Sequence, residues 1–161
     1  MTNKYYKLTF LSLFIALSAA FGAIKIPAVI GTVALDALPA LLAASLFTGG
    51  MGAIIAFFGH ILSSLYAGFP LGPLHLVIAL EMALFVWLFG TVFHKGKKVI
   101  AAGIFFIGNS IIAAIPFIFI IGGSFYISIL PSLLIGSFLN LTIAHFAYPP
   151  LRNWLGARVH E

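Results

Sequence analysis

The sequence predicts an all-α membrane protein. Six transmembrane helices form one domain over residues 1–161, with both termini on the cytoplasmic side. Three observations predict this. First, 63% of the residues are hydrophobic and 7% charged, with mean hydropathy +1.21, whereas a soluble domain carries about 25% charged residues. Second, apolar runs near the ~17–25 residues that cross a bilayer recur between short Gly-, Pro- or charge-rich breaks. Third, the basic residues collect at alternate breaks.

The first apolar run is Leu8 to Ile24, ended by Lys25 and Pro27. Met1 to Lys7 ahead of it resembles the basic start of a signal peptide, and small residues later in the run would permit cleavage. Because further spans follow, a retained helix is expected. Lys25 to Leu35 is apolar, but Pro and Gly interrupt it and β-branched residues are frequent, so it reads as a structured loop. Asp36 is a good N-cap for a short second helix, Ala37 to Phe47, with Pro39 in the tolerated first turn. Thr48-Gly49-Gly50 reads as a turn, followed by a third helix from Met51 to about Ala67.

Gly68-Phe69-Pro70-Leu71-Gly72-Pro73 is a stiff loop, and the fourth helix runs from Leu74 to Phe93. His94 to Lys98 is a basic turn. The fifth helix spans Val99 to about Ile121, with a kink expected at Pro116, and Gly122-Gly123-Ser124 is a turn. The sixth begins at Phe125 or Ser128 and is expected to stop at Pro149-Pro150. A polar tail follows, with Trp154 as an interface anchor.

Lys4, Lys7, Lys95, Lys97, Lys98, Arg152 and Arg158 all fall on one side of this topology, and only Lys25 falls on the other. The positive-inside rule makes the lysine-rich side cytoplasmic. This distribution also explains the net charge of +5 without nucleic-acid binding. With no cysteine there is no disulfide and no thiolate metal site.

Small residues recur at helical spacing on three helices, where they permit close approach in lipid. Ser12, Ala16 and Ala20, with Ala19 and Ala23 offset, lie on the first. Gly52, Ala56, His60, Ser63 and Ala67 lie on the third, and Ser128, Ser132, Gly136, Asn140 and Ala144 on the sixth. The stripes on the third and sixth suit internal packing. The stripe on the first suits internal packing or docking to another subunit.

Glu81 is the one acid inside a spanning segment. An intramembrane carboxylate is costly and marks a functional site by default. About two turns from the outer end, roughly 10 Å deep, it is the leading candidate for contact with a ligand entering from outside. His75, Asn109, Asn140, His60 and Asp36 are further candidates, each weighed against a structural role. Phe69 and Tyr126, with Phe21 and Phe125, offer rings for stacking. No catalytic motif is present: there is no HExxH, GxSxG or GxxxxGK[ST]. The histidines lie at different depths, which disfavours one metal site, and no cofactor is expected.

Several stretches together resemble a known family. They are Ala16-Leu17-Ser18-Ala19-Ala20, the apolar loop before Asp36, the run from Leu46 to His60, and Gly68 to Pro73. In that order they resemble the substrate-binding S components of energy-coupling factor (ECF) vitamin transporters. The likeness covers helices one to four well and five and six in outline. It implies a non-enzymatic subunit of the bacterial cytoplasmic membrane that captures a vitamin or precursor from outside. It further implies docking, through Ala16 and Ala20 with Ala19 and Ala23 beside them, on a separate transmembrane scaffold that carries two ATPases. Within the family the chain looks most like members assigned to α-ribazole, whose ribose and aromatic base suit Glu81, the Asn pair and outer aromatic rings. Pantothenate or another water-soluble vitamin is the alternative cargo, though the carboxylate of pantothenate would want a cation in the site. A membrane enzyme using Glu81 and a histidine, and a ligand-free structural partner, are the alternatives from other classes.

Overall fold

A computed structural model describes residues 4–27 and 32–159. Met1 to Asn3 of the basic start and Ala28 to Gly31 of the apolar loop lie outside the described residues, as do the side chains of Lys25 and Arg158. Helix α1 spans Lys4–Ala23, strands β1 (Lys25–Pro27) and β2 (Thr32–Ala34) form a ribbon, and α2 spans Ala37–Leu46. Then come α3 (Gly49–Tyr66), α4 (Leu74–His94), α5 (Lys98–Ile107), a π-turn (Gly108–Ile112), α6 (Pro116–Ile120) and α7 (Gly123–Val159).

Five stretches are long and apolar enough to cross a membrane: α1, α3, α4, Lys98–Ile120, and Gly123–Leu155 within α7. The expected second span is different in kind. At 10 residues, α2 rises only ~15 Å, about half a hydrocarbon core. Ahead of it the ribbon pairs antiparallel, with Lys25 opposite Ala34. Helix α2 still runs the chain back. It starts at Asp36, whose carbonyl accepts from Ser18 Oγ at 2.5 Å. It ends at Phe47, whose ring lies 5.1 Å from that of Phe10.

Every residue of α2 from Ala37 to Ser45 is buried. A helix apolar on all faces belongs in a core, and α1, α3, α4 and α7 pack around it. Hydrocarbon gives apolar side chains no drive to leave it, so close packing must hold these helices together. The small residues supply that packing. A Cβ on Gly52 would lie 2.5 Å from Ala44 Cβ, and one on Gly90 would lie 2.5 Å from Gly49 Cα. Between α1 and α3 the close seam is Ser18 on Gly59 and Gly22 on Ser63.

Three local expectations are corrected. Asp36 has helical backbone angles and no side-chain capping bond, because its carboxylate is bonded elsewhere. Thr48 does cap, accepting from Met51 N–H at 3.2 Å, so Gly49 and Gly50 open α3 and are not a free turn. Pro149 and Pro150 do not end α7, which continues to Val159. Prolines are tolerated in membrane helices where neighbours support the backbone, and Tyr148 just before them packs against Phe93 at 5.2 Å.

The helix ends sort into two sets. His94 donates from Nε2 to the Ala44 carbonyl at 2.9 Å, and Lys98 lies 5.7 Å from the Tyr148 ring. These contacts gather the lysine-rich turn with the ends of α2 and α7. The Gly68–Pro73 loop lies at the other end of α4, 21 residues away, or ~31 Å.

Candidate functional site

At the loop end, α2, the last turns of α3, the start of α4, the π-turn, α6 and the middle of α7 enclose a cavity of about 590 Å³. That lies within the ~300–1,000 Å³ typical of small-molecule sites. The cavity exists because helical spacing brings short side chains to it. His60, Ser63, Ser64 and Ala67 of α3 are at i, i+3, i+4 and i+7, and Ser132, Gly136 and Asn140 of α7 form an i+4 ridge. The ridges read as packing stripes thus also line an open volume.

One wall is a continuous hydrogen-bonded row. Asp36 Oδ2 lies 2.8 Å from His60 Nδ1, His60 Nε2 lies 3.2 Å from His75 Nδ1, and the Leu71 amide points at His75 Nε2 at 3.4 Å. A backbone N–H can only donate, so Nε2 of His75 is the acceptor and its proton is on Nδ1. That proton goes to His60 Nε2 or to Ser64 Oγ, 2.9 Å away. His60 then carries its own proton on Nδ1 and donates to Asp36. All directions close with one proton on each ring. The row ties the Pro/Gly loop, through Leu71 and His75, to the start of α2.

Ser64 Oγ thus sits beside a histidine that is backed by a second histidine and a carboxylate. Among the described residues no group of three ligating side chains could hold a metal ion. The ring nitrogens of His60 and His75 that face each other are already occupied.

The second wall is amide. Asn140 donates from Nδ2 to the carbonyls of Ala34 at 3.1 Å and Gly136 at 2.8 Å, and its buried Oδ1 has no protein partner. Asn109 donates to Ser137 Oγ at 2.9 Å. Asn109 is on the π-turn, where Ala113 N–H bonds to the Gly108 carbonyl at 2.8 Å. Such bulges occur frequently at functional sites. The third wall is aromatic: the Phe117 and Phe125 rings stand 6.2 Å apart and both face the cavity.

The structure therefore brings Asp36, His60, His75, Asn109 and Asn140 to one cavity. It does not bring Glu81 there. Ile78 and Met82 of α4 line the cavity, and Glu81, some 60–100° around the helix from them, faces an adjacent flank. Its Oε2 is buried without a partner, and it bonds neither to His60 nor to an asparagine. Phe69 and Tyr126 are also off the wall. The Phe69 ring packs at 5.7 Å on His75, and Phe69 has a positive φ of 48° between Gly68 and Pro70. Tyr126 yields its place to Phe125. The sequence reading missed Ser64, Ser137 and Phe117. Ser64 was findable, one turn after His60 on the same face; Phe117 was not, because its aim depends on the π-turn and on Pro116 restarting the helix.

On α1, Ala16, Ala20 and Ala23 are exposed, as the docking expectation needs. Ala19 is a correction: at 6% exposure it faces inward with Ser18 and Gly22, and no partner can reach it in this fold.

In fold the chain is similar to the S component of a bacterial ECF transporter, with TM-score 0.77 and 20% identity over 95% of this chain and 99% of that chain. No family model and no curated protein matches the sequence. The chain thus shares the fold of that protein, with five helical stretches long and apolar enough to cross a membrane.

Proposed function

We propose that this chain is the substrate-capture subunit of an ECF-type importer and binds an uncharged, polar, partly aromatic vitamin or vitamin precursor. The observation that carries the reading is the cavity beside the Gly68–Pro73 loop, walled by the Asp36–His60–His75 row, the two asparagines and two phenylalanines. Among the described residues its wall holds no lysine or arginine, and the one carboxylate there is already bonded to His60. Burying an anion there would leave a charge without a counter-ion, which costs several kcal/mol. An α-ribazole-like molecule suits the wall, with hydroxyls donating to Asn140 Oδ1 and a base between Phe117 and Phe125. Pantothenate, a carboxylate, suits it less.

In this reading the cavity opens outward, both termini and the lysine-rich turn are cytoplasmic, and the membrane is a bacterial one. The exposed Ala16, Ala20 and Ala23 face docks on a separate transmembrane scaffold bound to two ATPases. The lack of a P-loop in this chain fits borrowed ATPases.

Calorimetric titration of the purified protein tests the cargo. α-Ribazole is expected to bind with a Kd at least tenfold below that of pantothenate, ~1.4 kcal/mol. No binding of either to folded protein counts against the reading, and turnover of a bound compound without ATP would establish the enzyme alternative. For docking, Ala16→Leu with Ala20→Leu is expected to abolish uptake by cells while the Kd for cargo stays the same. Parallel loss of both would make that face internal.

A further inference from the structure

At the basic end, a second cavity of about 750 Å³ lies between α5 and α7. Lys98, at the start of α5, and Arg152, near the end of α7, sit at its rim. Phe106 and Phe138 line its apolar part, and Phe138 is 60% exposed. We propose that this groove binds an anionic phospholipid, its phosphate against Lys98 and Arg152 and an acyl chain along Phe106 and Phe138.

Charge is the first argument. Among the described residues the groove contains no acidic side chain and neither cation has an acidic partner, the ion pair there being Asp36 with His60 at the other end. Lys98 is held in place by aromatic faces, its Nζ 5.5 Å from the Phe93 ring and 5.7 Å from that of Tyr148. A basic pocket between helices at the membrane edge is the arrangement that selects anionic headgroups.

Length is the second. Lys98 and Phe106 are separated by ~12 Å along α5, and Arg152 and Phe138 by ~21 Å along α7, at 1.5 Å per residue. One leaflet of hydrocarbon is ~15 Å deep. The groove thus runs from headgroup level to about the depth of one acyl chain. A free phosphate would use the rim and leave the apolar part without an occupant.

The third is room. Nothing lies within 4 Å of the point where a Cβ on Gly103 would sit, and Gly103 lines the groove. The glycine leaves space that a chain can fill.

Native mass spectrometry of the full chain in detergent, with equal phosphatidylglycerol and phosphatidylcholine added, tests this. Phosphatidylglycerol is expected to be retained roughly thirtyfold over phosphatidylcholine, from about fivefold per cation. Lys98→Ala with Arg152→Ala should bring the ratio near one. Gly103→Phe should lower retention of both lipids while leaving the thermal unfolding midpoint in place. A wild-type ratio near one, or a ratio untouched by the charge variant, overturns the proposal. So does displacement of the lipid by equimolar glycerol phosphate, which would make the site one for the phosphate alone. If Gly103→Phe fails to fold, the charge variant and the wild-type ratio still decide.

Discussion

Gly59→Val is expected to lose most folded protein, with a destabilisation of ~1–3 kcal/mol or more from overpacking alone. A Cβ at Gly59 would lie 2.0 Å from Ser18 Oγ and 2.4 Å from Ser18 Cβ, so something must move. Ser18 cannot swing aside, because its hydroxyl donates to the Asp36 carbonyl at 2.5 Å and the residue is fully buried. The strain must therefore separate α1 from α3. The reciprocal contact one turn on, Gly22 against Ser63 with Asp36 Cβ 3.2 Å from the would-be Cβ, would open with it. The damage reaches the cavity, since Gly22, Ser63 and Asp36 all line it. Thermal unfolding in detergent measures the effect. Ser18→Gly added to the milder Gly59→Ala should recover part of the loss, because it removes the atoms that clash. A Gly59→Val protein with wild-type stability would refute the close α1–α3 seam.

Asn140→Leu is expected to weaken cargo binding by tenfold or more, ~1.4 kcal/mol. Asn140 is 3% exposed, and its Nδ2 holds the Ala34 carbonyl at the end of β2. Its Oδ1 is a buried acceptor that no protein group fills, so a ligand hydroxyl placed there gains a bond that leucine cannot offer. Leucine is close in volume, which separates lost polarity from lost packing. The unliganded protein should lose about 1–3 kcal/mol, because the Ala34 carbonyl loses the amide that donates to it, and calorimetry and thermal unfolding read the two effects apart. Glu81→Gln is the control. With its side chain off the cavity wall, it should leave the Kd within about twofold, ~0.4 kcal/mol. A large loss from Glu81→Gln with no loss from Asn140→Leu would move the site to the other flank of α4.

Much of the architecture was legible because a bilayer imposes one requirement on every spanning segment: its backbone polar groups must be satisfied internally. Apolar runs of spanning length therefore read as helices, and α1, α3 and α4 lie within a few residues of their expected bounds. Candidate site residues were legible for a related reason. Polar side chains are rare enough in this chain that Asp36, His60, His75, Asn109 and Asn140 stood out, and all five line the cavity. Glu81 stood out by the same reasoning, yet it does not line this cavity. Rarity marks a residue as costly, but direction around the helix decides what it touches.

The sequence alone determined a membrane-embedded helical bundle with its basic residues at alternate breaks and a Pro/Gly loop at the far end of the fourth helix from the lysines. Its composition and periodicity carry that, since both depend on the solvent and on local geometry. Only the tertiary structure decided which small-residue faces close on each other, that the short α2 is buried on every face, that Pro149 and Pro150 continue a helix, and that the histidines join Asp36 in one row. Those depend on contacts between residues far apart in the chain, where a rotation of 100° per residue turns a neighbour in sequence into a stranger in space.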